Sequence, residues 1–379
     1  MLMADNASSK EPSNDLLSVF TSNWFVIVMG LGGLINVIAN LWGTQTALAS
    51  WIQAGVWANS SIFAILLSIW IARWFLTPRL MWDEITHPAL SHFFGLIPVA
   101  LAILGLNWSL MGAVFSPSVL HHIINVVWIV SVVLGLLFSI IITDSLVRQD
   151  DVDAQSISFS WLIGSVANAL FPLLGSLIVS DQAAQFLAWS RFVDVADVAL
   201  FGIGLSLFFF LTAFLFGRYF TAPEPPAEFA PVSWLLLGAA AVLSLGVIGI
   251  ANSSVRLGLI PSTSFSLLAS FALWGLAGWS FLLVLTMTLR VWFAGELHFT
   301  LAWWAFVFPL SAYVLDARTL AGASHVHWLN GYSDAFVVLL FVFFLIVLVE
   351  TLIQLLTGRL FRRVDPRAGM RSVPSTPAL

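Results

Sequence analysis

The sequence predicts an all-α polytopic membrane protein in which ten transmembrane helices form an inner ring and an outer ring. Three observations predict this fold class. Hydrophobic residues make up 60% of the 379 residues and charged residues only 9%, with a mean hydropathy of +0.99. Ten apolar stretches near twenty residues, the length that crosses a bilayer, recur along the chain. Prolines occur inside odd-numbered stretches only, and the apolar cores of these odd-numbered stretches carry no formal charge.

The predicted spans follow one another with short connections, so the sequence leaves no room for a separate soluble domain. Prolines mark several of the ends: Thr77-Pro78 follows the second span, Ala222-Pro223 follows the sixth, and Pro261 precedes the eighth. The predicted spans are 23–42, 53–76, 91–110, 121–143, 160–179, 192–216, 234–251, 266–290, 298–317 and 334–357.

The odd-numbered spans are predicted to bend. Pro98, Pro172 and Pro309 lie inside the third, fifth and ninth spans, and Gly30 lies in the middle of the first. A proline inside a helix removes one backbone hydrogen bond, and in lipid the freed carbonyl needs another partner. Water in a central pore would supply that partner. A kink packed against neighbouring helices is the alternative for each single proline, but the restriction of all three to odd spans favours a pore lining.

The arginine and lysine residues predict that both termini lie in the cytoplasm. Eleven of them lie at the N-terminus, in the even-to-odd connections or in the C-terminal tail, whereas three lie in the odd-to-even connections. Cytoplasmic loops carry the excess of positive charge. We therefore expect a cytoplasmic segment over 1–22, a ten-helix transmembrane domain over 23–357 and a basic cytoplasmic tail over 358–379. The first span is expected to act as an uncleaved anchor in the inner or plasma membrane.

Every odd span begins with a hydroxyl residue followed closely by an aromatic residue. The five starts read Ser22-Asn23-Trp24, Ser91-His92-Phe93-Phe94, Ser160-Trp161, Ser233-Trp234 and Thr300-Leu301-Ala302-Trp303-Trp304. We expect the hydroxyl to cap the first turn and the aromatic ring to lie at the membrane interface. The recurrence indicates five repeated helical hairpins. Aromatic belts and capping residues also recur in unrelated membrane proteins, so both interpretations stay open.

Three segments carry a family resemblance: residues 23–30 (NWFVIVMG), 87–95 (HPALSHFFG) and 303–310 (WWAFVFPL). In this order and spacing they resemble the tellurite-resistance/dicarboxylate transporter family, which also contains the plant slow anion channels and fungal sulfite and malate permeases. The stretch from Ser160-Trp161 to Phe171-Pro172 fits more loosely, because it lacks the proline that members often carry before that tryptophan. The resemblance covers roughly residues 22–357.

The resemblance implies five helical hairpins around a central pore, with the odd helices inside and one pore in each subunit of a homotrimer. It also implies a phenylalanine on the ninth helix that plugs the pore, for which Phe308 fits best and Phe306 is the alternative. A large apolar side chain closes a narrow pore by filling or dewetting it. The implied function is a channel or permease for small inorganic or organic anions. A proton-coupled carrier for C4-dicarboxylates such as malate, or an exporter of sulfite or tellurite, is the alternative.

The predicted pore wall carries no formal charge, so a passing anion must be offered neutral donors. Ser158, Ser160, Ser165 and Asn168 lie on or near the fifth span and are donors of this kind. Weak binding by neutral donors suits fast passage. A tight carrier for a dianion should instead show an arginine in the path, so the residues favour a channel-like permease.

A few ionisable residues lie near membrane depth: Asp194, Asp197 and Glu350 in even spans, and Asp316 with Arg318 at the outer end of the ninth span. A proton relay for symport through Asp194, Asp197 and Glu350 is one interpretation. The favoured interpretation is interfacial ion pairs, of Asp194 and Asp197 with Arg191 and of Asp316 with Arg318, and an interhelical hydrogen bond for Glu350. All of them lie on even helices or at the end of a span.

The remaining chemistry is predicted to be sparse. The absence of cysteine excludes disulfides and thiolate metal sites. Two histidine pairs on the outer side, His121 with His122 and His325 with His327, suggest a metal or pH-sensing site, but solvated loop residues are favoured. No zinc-protease motif and no nucleophile elbow is present, which disfavours an enzyme. We expect no cofactor, no metal and no nucleic-acid partner, and a lipid bilayer as surroundings.

Overall fold

The computed structural model describes residues 16–44, 47–148, 157–222 and 226–361, and within these ranges all regular elements are helices. The predicted all-α class is confirmed. The ten long helices, numbered in chain order, are α1 (Val26–Trp42), α2 (Ala49–Leu76), α3 (Leu96–Trp108), α4 (Pro117–Val147), α5 (Ile163–Gln182), α6 (Leu187–Thr221), α7 (Leu235–Arg256), α8 (Ser264–Phe293), α9 (Trp304–Ser324) and α10 (Trp328–Leu356). Short helices cover Leu16–Val19 and Pro78–Thr86. Most of the predicted segment 1–22 and of the basic tail lies outside the described ranges.

Nine of the described helices, taken with any leading turn, are long and apolar enough to cross a membrane, with mean hydropathies between 1.7 and 3.1. The chain is therefore a polytopic membrane protein. α9 is not among the nine, although its 21 residues are enough to cross the hydrocarbon core. Its C-terminal half carries Asp316 and Arg318, which make it less apolar.

The helices alternate between inner and outer positions. Between 67% and 78% of the apolar window is buried in α1, α3, α5 and α7, against 17% to 33% in the five even helices. α9 belongs to the inner set, since 15 of its residues are buried. The inner helices form a closed ring, in which α1, α3, α5, α7 and α9 pack in that order and α9 packs back on α1. Each even helix packs against the odd helix that precedes it.

Each inner helix begins with a 3-10 segment, whereas none of the five even helices does within the described ranges. The segments are Ser22–Phe25, Ser91–Gly95, Phe159–Leu162, Ala227–Trp234 and Leu301–Trp303. A 3-10 helix has three residues per turn and a steeper rise than an α-helix, so it narrows and extends the start of each inner helix. These segments coincide with the five repeated sequence starts.

The capping that we predicted for Ser22, Ser91, Ser160, Ser233 and Thr300 is wrong, because none of these hydroxyl groups caps its segment. One cap of this kind occurs at a residue that was not predicted, since Ser158 accepts a hydrogen bond from the Ser160 backbone N–H at 3.4 Å. Thr300 makes no capping bond through its side chain, and the Ser22 hydroxyl instead accepts from Nε1 of Trp70 at 3.2 Å. Ser22 therefore bonds to a neighbouring helix, whereas Ser233 bonds within its own segment, to the backbone oxygen of Ala230 at 2.6 Å.

A buried ion pair braces the start of α1. Arg73, near the end of α2, contacts Glu84 of the short helix Pro78–Thr86 at 2.8 Å, and both side chains are almost fully buried. Glu84 Oε1 also accepts from the backbone N–H of Ser22 at 3.1 Å. Arg73 is one of the eleven basic residues that predict the orientation, and its pairing with Glu84 was not predicted.

Candidate functional site

A small cavity lies where the starts of all five inner helices converge. Its lining residues are Asn23, Val26, Met29, Phe93, Leu96, Ile163, Val232, Leu235, Ala302, Ala305 and Phe308. Because all five members of the ring bound it, the cavity lies on the axis of the ring. Its volume of about 20 Å³ holds roughly one water molecule. The lining carries no formal charge, and the path is closed to a hydrated ion at this level.

Phe308 forms part of the wall of this cavity and is only 4% exposed. Its ring also lies beside α1, where a Cβ built on Gly33 would stand 3.6 Å from Phe308 Cδ2. The closest neighbour of that Cβ would be Ser311, at 2.9 Å, whereas Phe308 would stand at an ordinary van der Waals distance. The Phe308 ring therefore forms an apolar part of the cavity wall next to α1.

Phe306 lies behind the wall rather than in it. Its ring contacts Trp234, Trp303 and Phe343, with ring centroids 5.0, 5.7 and 5.2 Å away. The side chain is fully buried in this aromatic cluster between α7, α9 and α10. The structure therefore separates the two candidate phenylalanines, with Phe308 at the axis and Phe306 in helix packing.

The predicted bends lie away from the cavity lining. Pro309 packs on α7, where a Cβ built on Gly238 would meet its Cγ at 3.1 Å, and Pro172 lies buried inside α5. Pro98 differs from the predicted mid-span bend, because α3 begins only at Leu96 and a proline fits the first turn of a helix. Gly30 allows close packing, since a Cβ there would lie 2.6 Å from Trp304.

A wider polar cup opens at the opposite end of α5 and α7. Its volume is about 510 Å³. The lining residues are Ser176, Leu177, Ser180, Gly249, Asn252, Ser253 and Arg256. Arg256 carries the only formal charge among them and donates from Nη1 to the backbone oxygen of Ser180 at 2.8 Å. The cup thus offers an arginine, an amide and hydroxyl groups to a solute.

The cavity and the cup share one face of the two helices. Ile163 and Leu235 line the cavity, and Leu177 and Gly249, each fourteen residues further along, line the cup. Fourteen residues make nearly four helical turns, so the paired positions point the same way and lie about 21 Å apart. The cavity and the cup therefore lie along the same side of α5 and α7.

The carboxyl groups of α6 point into the protein. Asp197 Oδ1 accepts from Nε1 of Trp128 at 3.0 Å, and Asp194 Oδ2 accepts from the hydroxyl of Ser254 at 2.8 Å. Both aspartates are buried, whereas Arg191 is exposed. The predicted ion pairs at this end of α6 are wrong, because the carboxyl groups bond to neutral donors of α4 and α7.

Asp316 is also buried and accepts a hydrogen bond from a neutral donor, and it does not pair with Arg318. Its Oδ1 accepts from the hydroxyl of Ser244 at 2.7 Å, whereas Arg318 pairs with Asp334 of α10. Asp316 lies eight residues before the end of α9, so the prediction of an uncharged core fails in this helix. Glu350 lies half-buried in α10, six residues before its end.

The neutral donors predicted near the fifth span do not line the axial cavity. Ser165 donates to the backbone oxygen of Gly204 in α6 at 2.7 Å, and Asn168 donates to that of Gly164 in its own helix at 2.8 Å. Ser158 and Ser160 bond to each other. Of the four groups, only Ser165 therefore links two helices.

The histidine pairs form no metal cluster within the described residues, where no group of three or more potential ligands occurs. His121 and His122 lie in the first turns of α4, beside the end of α5 and the start of α6. His325 ends α9 with a positive φ of 59°, and His327 directly precedes α10. The two pairs therefore lie at helix ends.

An asparagine cluster that the sequence analysis missed joins α1, α2 and α3. Asn107 donates from Nδ2 to Asn36 Oδ1 and to the backbone oxygen of Gly32, both at 3.0 Å. Asn59 donates to Asn107 Oδ1 at 3.2 Å. In an apolar setting such bonds hold helices in one register. Three asparagines spaced far apart in sequence gave no signal of this contact.

Comparison with known proteins agrees with this architecture. Residues 19–352 match the family of voltage-dependent anion channels (SLAC1). Two uncharacterized transporters of Methanocaldococcus jannaschii, MJ0762 and MJ0576, are each 25% identical to the chain. The first match covers 90% of this chain and 97% of the relative, and the second covers 93% and 98%. These names indicate transport rather than catalysis. The chain belongs to the voltage-dependent anion channel family.

Proposed function

We propose that this protein passes small anions along the axis of its inner ring and that Phe308 is the gate. The observation that carries the proposal is the axial cavity, which residues of all five inner helices line and which Phe308 helps to close. A ring in this position keeps the constriction too narrow and too apolar for a hydrated ion. Movement of one side chain would then open the path.

The charges along the proposed path favour weakly bound anions. Because the cavity lining is neutral, only backbone and amide dipoles would stabilise an anion there, and the anion would be released readily. Arg256 in the cup raises the local concentration of anions at the other mouth. We propose that the protein lies in the inner or plasma membrane with both termini in the cytoplasm, so that the cup faces the outside. We also propose that it forms a homotrimer with one pore in each subunit.

The test is the current through purified protein in planar bilayers, with chloride, nitrate, sulfite and malate in turn. We expect Phe308→Ala to raise the anion current about tenfold or more, since removing ~1.4 kcal/mol from a barrier raises a rate tenfold. Phe306→Ala is the matched control. It should lose about 3–5 kcal/mol of stability through its aromatic cluster, without a higher current per folded molecule. Equal currents for wild type and Phe308→Ala would rule out the gate.

A proton-coupled carrier, for malate, sulfite or tellurite, is the second candidate, and the buried carboxyl groups of Asp194 and Asp197 favour it. Both face the inner ring from α6, where a proton relay would need them. Flux into liposomes separates the two candidates. A channel conducts without a proton gradient. Strict dependence on the gradient, lost in Asp194→Asn and Asp197→Asn, would replace the channel with the carrier.

A further inference from the structure

We propose that a groove between α4 and α6 binds one acyl chain of a bilayer phospholipid, with the ester carbonyl held at His92 and Trp161. The groove has a volume of about 380 Å³, which lies within the range of small-molecule sites. Its walls come from α4 and α6, and its floor comes from the starts of α3 and α5. Among the residues that the structure describes, the lining contains no aspartate, glutamate, lysine or arginine.

The floor of the groove holds two polar groups without partners. His92 is 7% exposed and stacks on Trp161, with ring centroids 4.8 Å apart. Nε2 of His92 and Nε1 of Trp161 are both buried and have no hydrogen-bond partner among the described residues. An indole N–H only donates, and a buried donor without an acceptor is unfavourable. The floor therefore calls for a ligand that brings an oxygen acceptor.

The walls fit an apolar chain of one leaflet. On α4 the lining runs from Gly135 to Val147, twelve residues or about 18 Å, close to half of a hydrocarbon core of about 30 Å. Gly164 widens the floor, because a Cβ built there would meet nothing within 4 Å. The lining is almost entirely aliphatic and aromatic. A single acyl chain fills such a space without polar cost.

The groove opens towards the bilayer, which decides the source of the ligand. α4 and α6 are outer helices with most of their surface exposed, and Thr143 and Phe214 on the groove are exposed. The acyl chains of bilayer lipids are the apolar molecules that surround this face. His92 and Trp161 lie at the starts of inner helices, the level at which a phospholipid carries its ester carbonyls. A phospholipid therefore meets both the walls and the floor.

The bound chain would lie directly behind the axial cavity. His92 precedes Phe93, and Trp161 is two residues before Ile163, and both of these neighbours line the cavity. A lipid in the groove thus supports the wall that faces the axis. Binding itself does not depend on the proposed transport function, and it is measured separately.

The experiment uses the whole protein in phosphatidylcholine vesicles that contain a minor fraction of phosphatidylcholine with a diazirine near the carbonyl end of one acyl chain. After illumination, peptide mass spectrometry locates the labelled residues. We expect labelling in the groove to exceed that on the lipid-facing surfaces of α8 and α10. Gly164→Leu should lower groove labelling about tenfold by filling the space. His92→Phe should lower it about fivefold, the effect of one hydrogen bond.

Gly202→Leu is the matched control, because it adds the same side chain at an open, exposed position of α6 outside the groove. Its groove labelling should equal that of wild type. Uniform labelling of all outer helices would overturn the proposal, as would equal labelling of Gly164→Leu and Gly202→Leu. Absence of groove labelling in the wild type would also overturn it. The wild-type distribution decides the question even where a variant does not fold.

Discussion

Replacing Gly175 with alanine tests how tightly α5 holds the buried carboxyl group of α6. A Cβ built on Gly175 lies 2.6 Å from Asp197 Cγ and closer still to Oδ2, which is nearer than real side chains come. The carboxyl group must move, and its 3.0 Å hydrogen bond from Trp128 breaks. Overpacking costs about 1–3 kcal/mol, and the lost bond adds a similar amount. We expect a loss of about 3–5 kcal/mol of stability.

Thermal unfolding in detergent measures this loss. At about 2–4 °C for each kcal/mol, the midpoint of Gly175→Ala should fall by roughly 6–20 °C. Gly202→Ala on α6 is the control. Its Cβ meets nothing within 4 Å, and alanine favours the helix by about 1 kcal/mol, so its midpoint should hold or rise. A double-mutant cycle with Asp197→Ala isolates the contact, because alanine at 175 should cost much less once the carboxyl group is gone. Equal losses in both backgrounds would refute the proposed clash.

Two further predictions concern charged side chains. Arg256→Gln should raise several-fold the anion concentration at the cup that gives half-maximal current, and should make this concentration depend less on salt. Arg191→Gln, at an exposed position near the start of α6, should change neither. Identical titrations for both variants would exclude the cup from the path. Glu84→Gln should lower the free energy of unfolding by about 3–5 kcal/mol, because it leaves Arg73 buried without its partner charge. Asp334→Asn, which removes the exposed partner of Arg318, should lower it by at most about 1 kcal/mol. Thermal unfolding measures both losses. A similar loss for both would mean that the buried pair is not special.

The two-ring arrangement could be predicted from the sequence because lipid imposes it. Outer helices need an apolar surface all round, whereas inner helices tolerate Pro172 and Pro309 because neighbours fill the space that a proline disturbs. The same argument did not fix where each proline points. Packing of Pro309 on Gly238 links positions 71 residues apart, and neither position shows this in its own neighbourhood.

The site could be predicted only in part. Phe308 came from resemblance to a family, since nothing in the residues distinguishes it from Phe306, two positions away. The structure separates them, because a helix rotates by about 200° over two residues. Asp316 and Arg318 were paired because they are close in sequence. The same rotation sends them to opposite sides, so Asp316 bonds to Ser244 and Arg318 to Asp334. Nearest neighbours along a helix are poor guides to partners in space.

The contact between α9 and α1 makes the barrier a late product of synthesis. Gly30 lies against Trp304 and Gly33 against Ser311, residues that leave the ribosome more than 270 positions later. Until then the wall has a seam between α1 and α7, and contacts of such long separation form slowly. A chain that ends after α8 would retain eight of ten helices and still have no closed wall. Damage to the last hairpin therefore removes the seal as a whole, not one fifth of it.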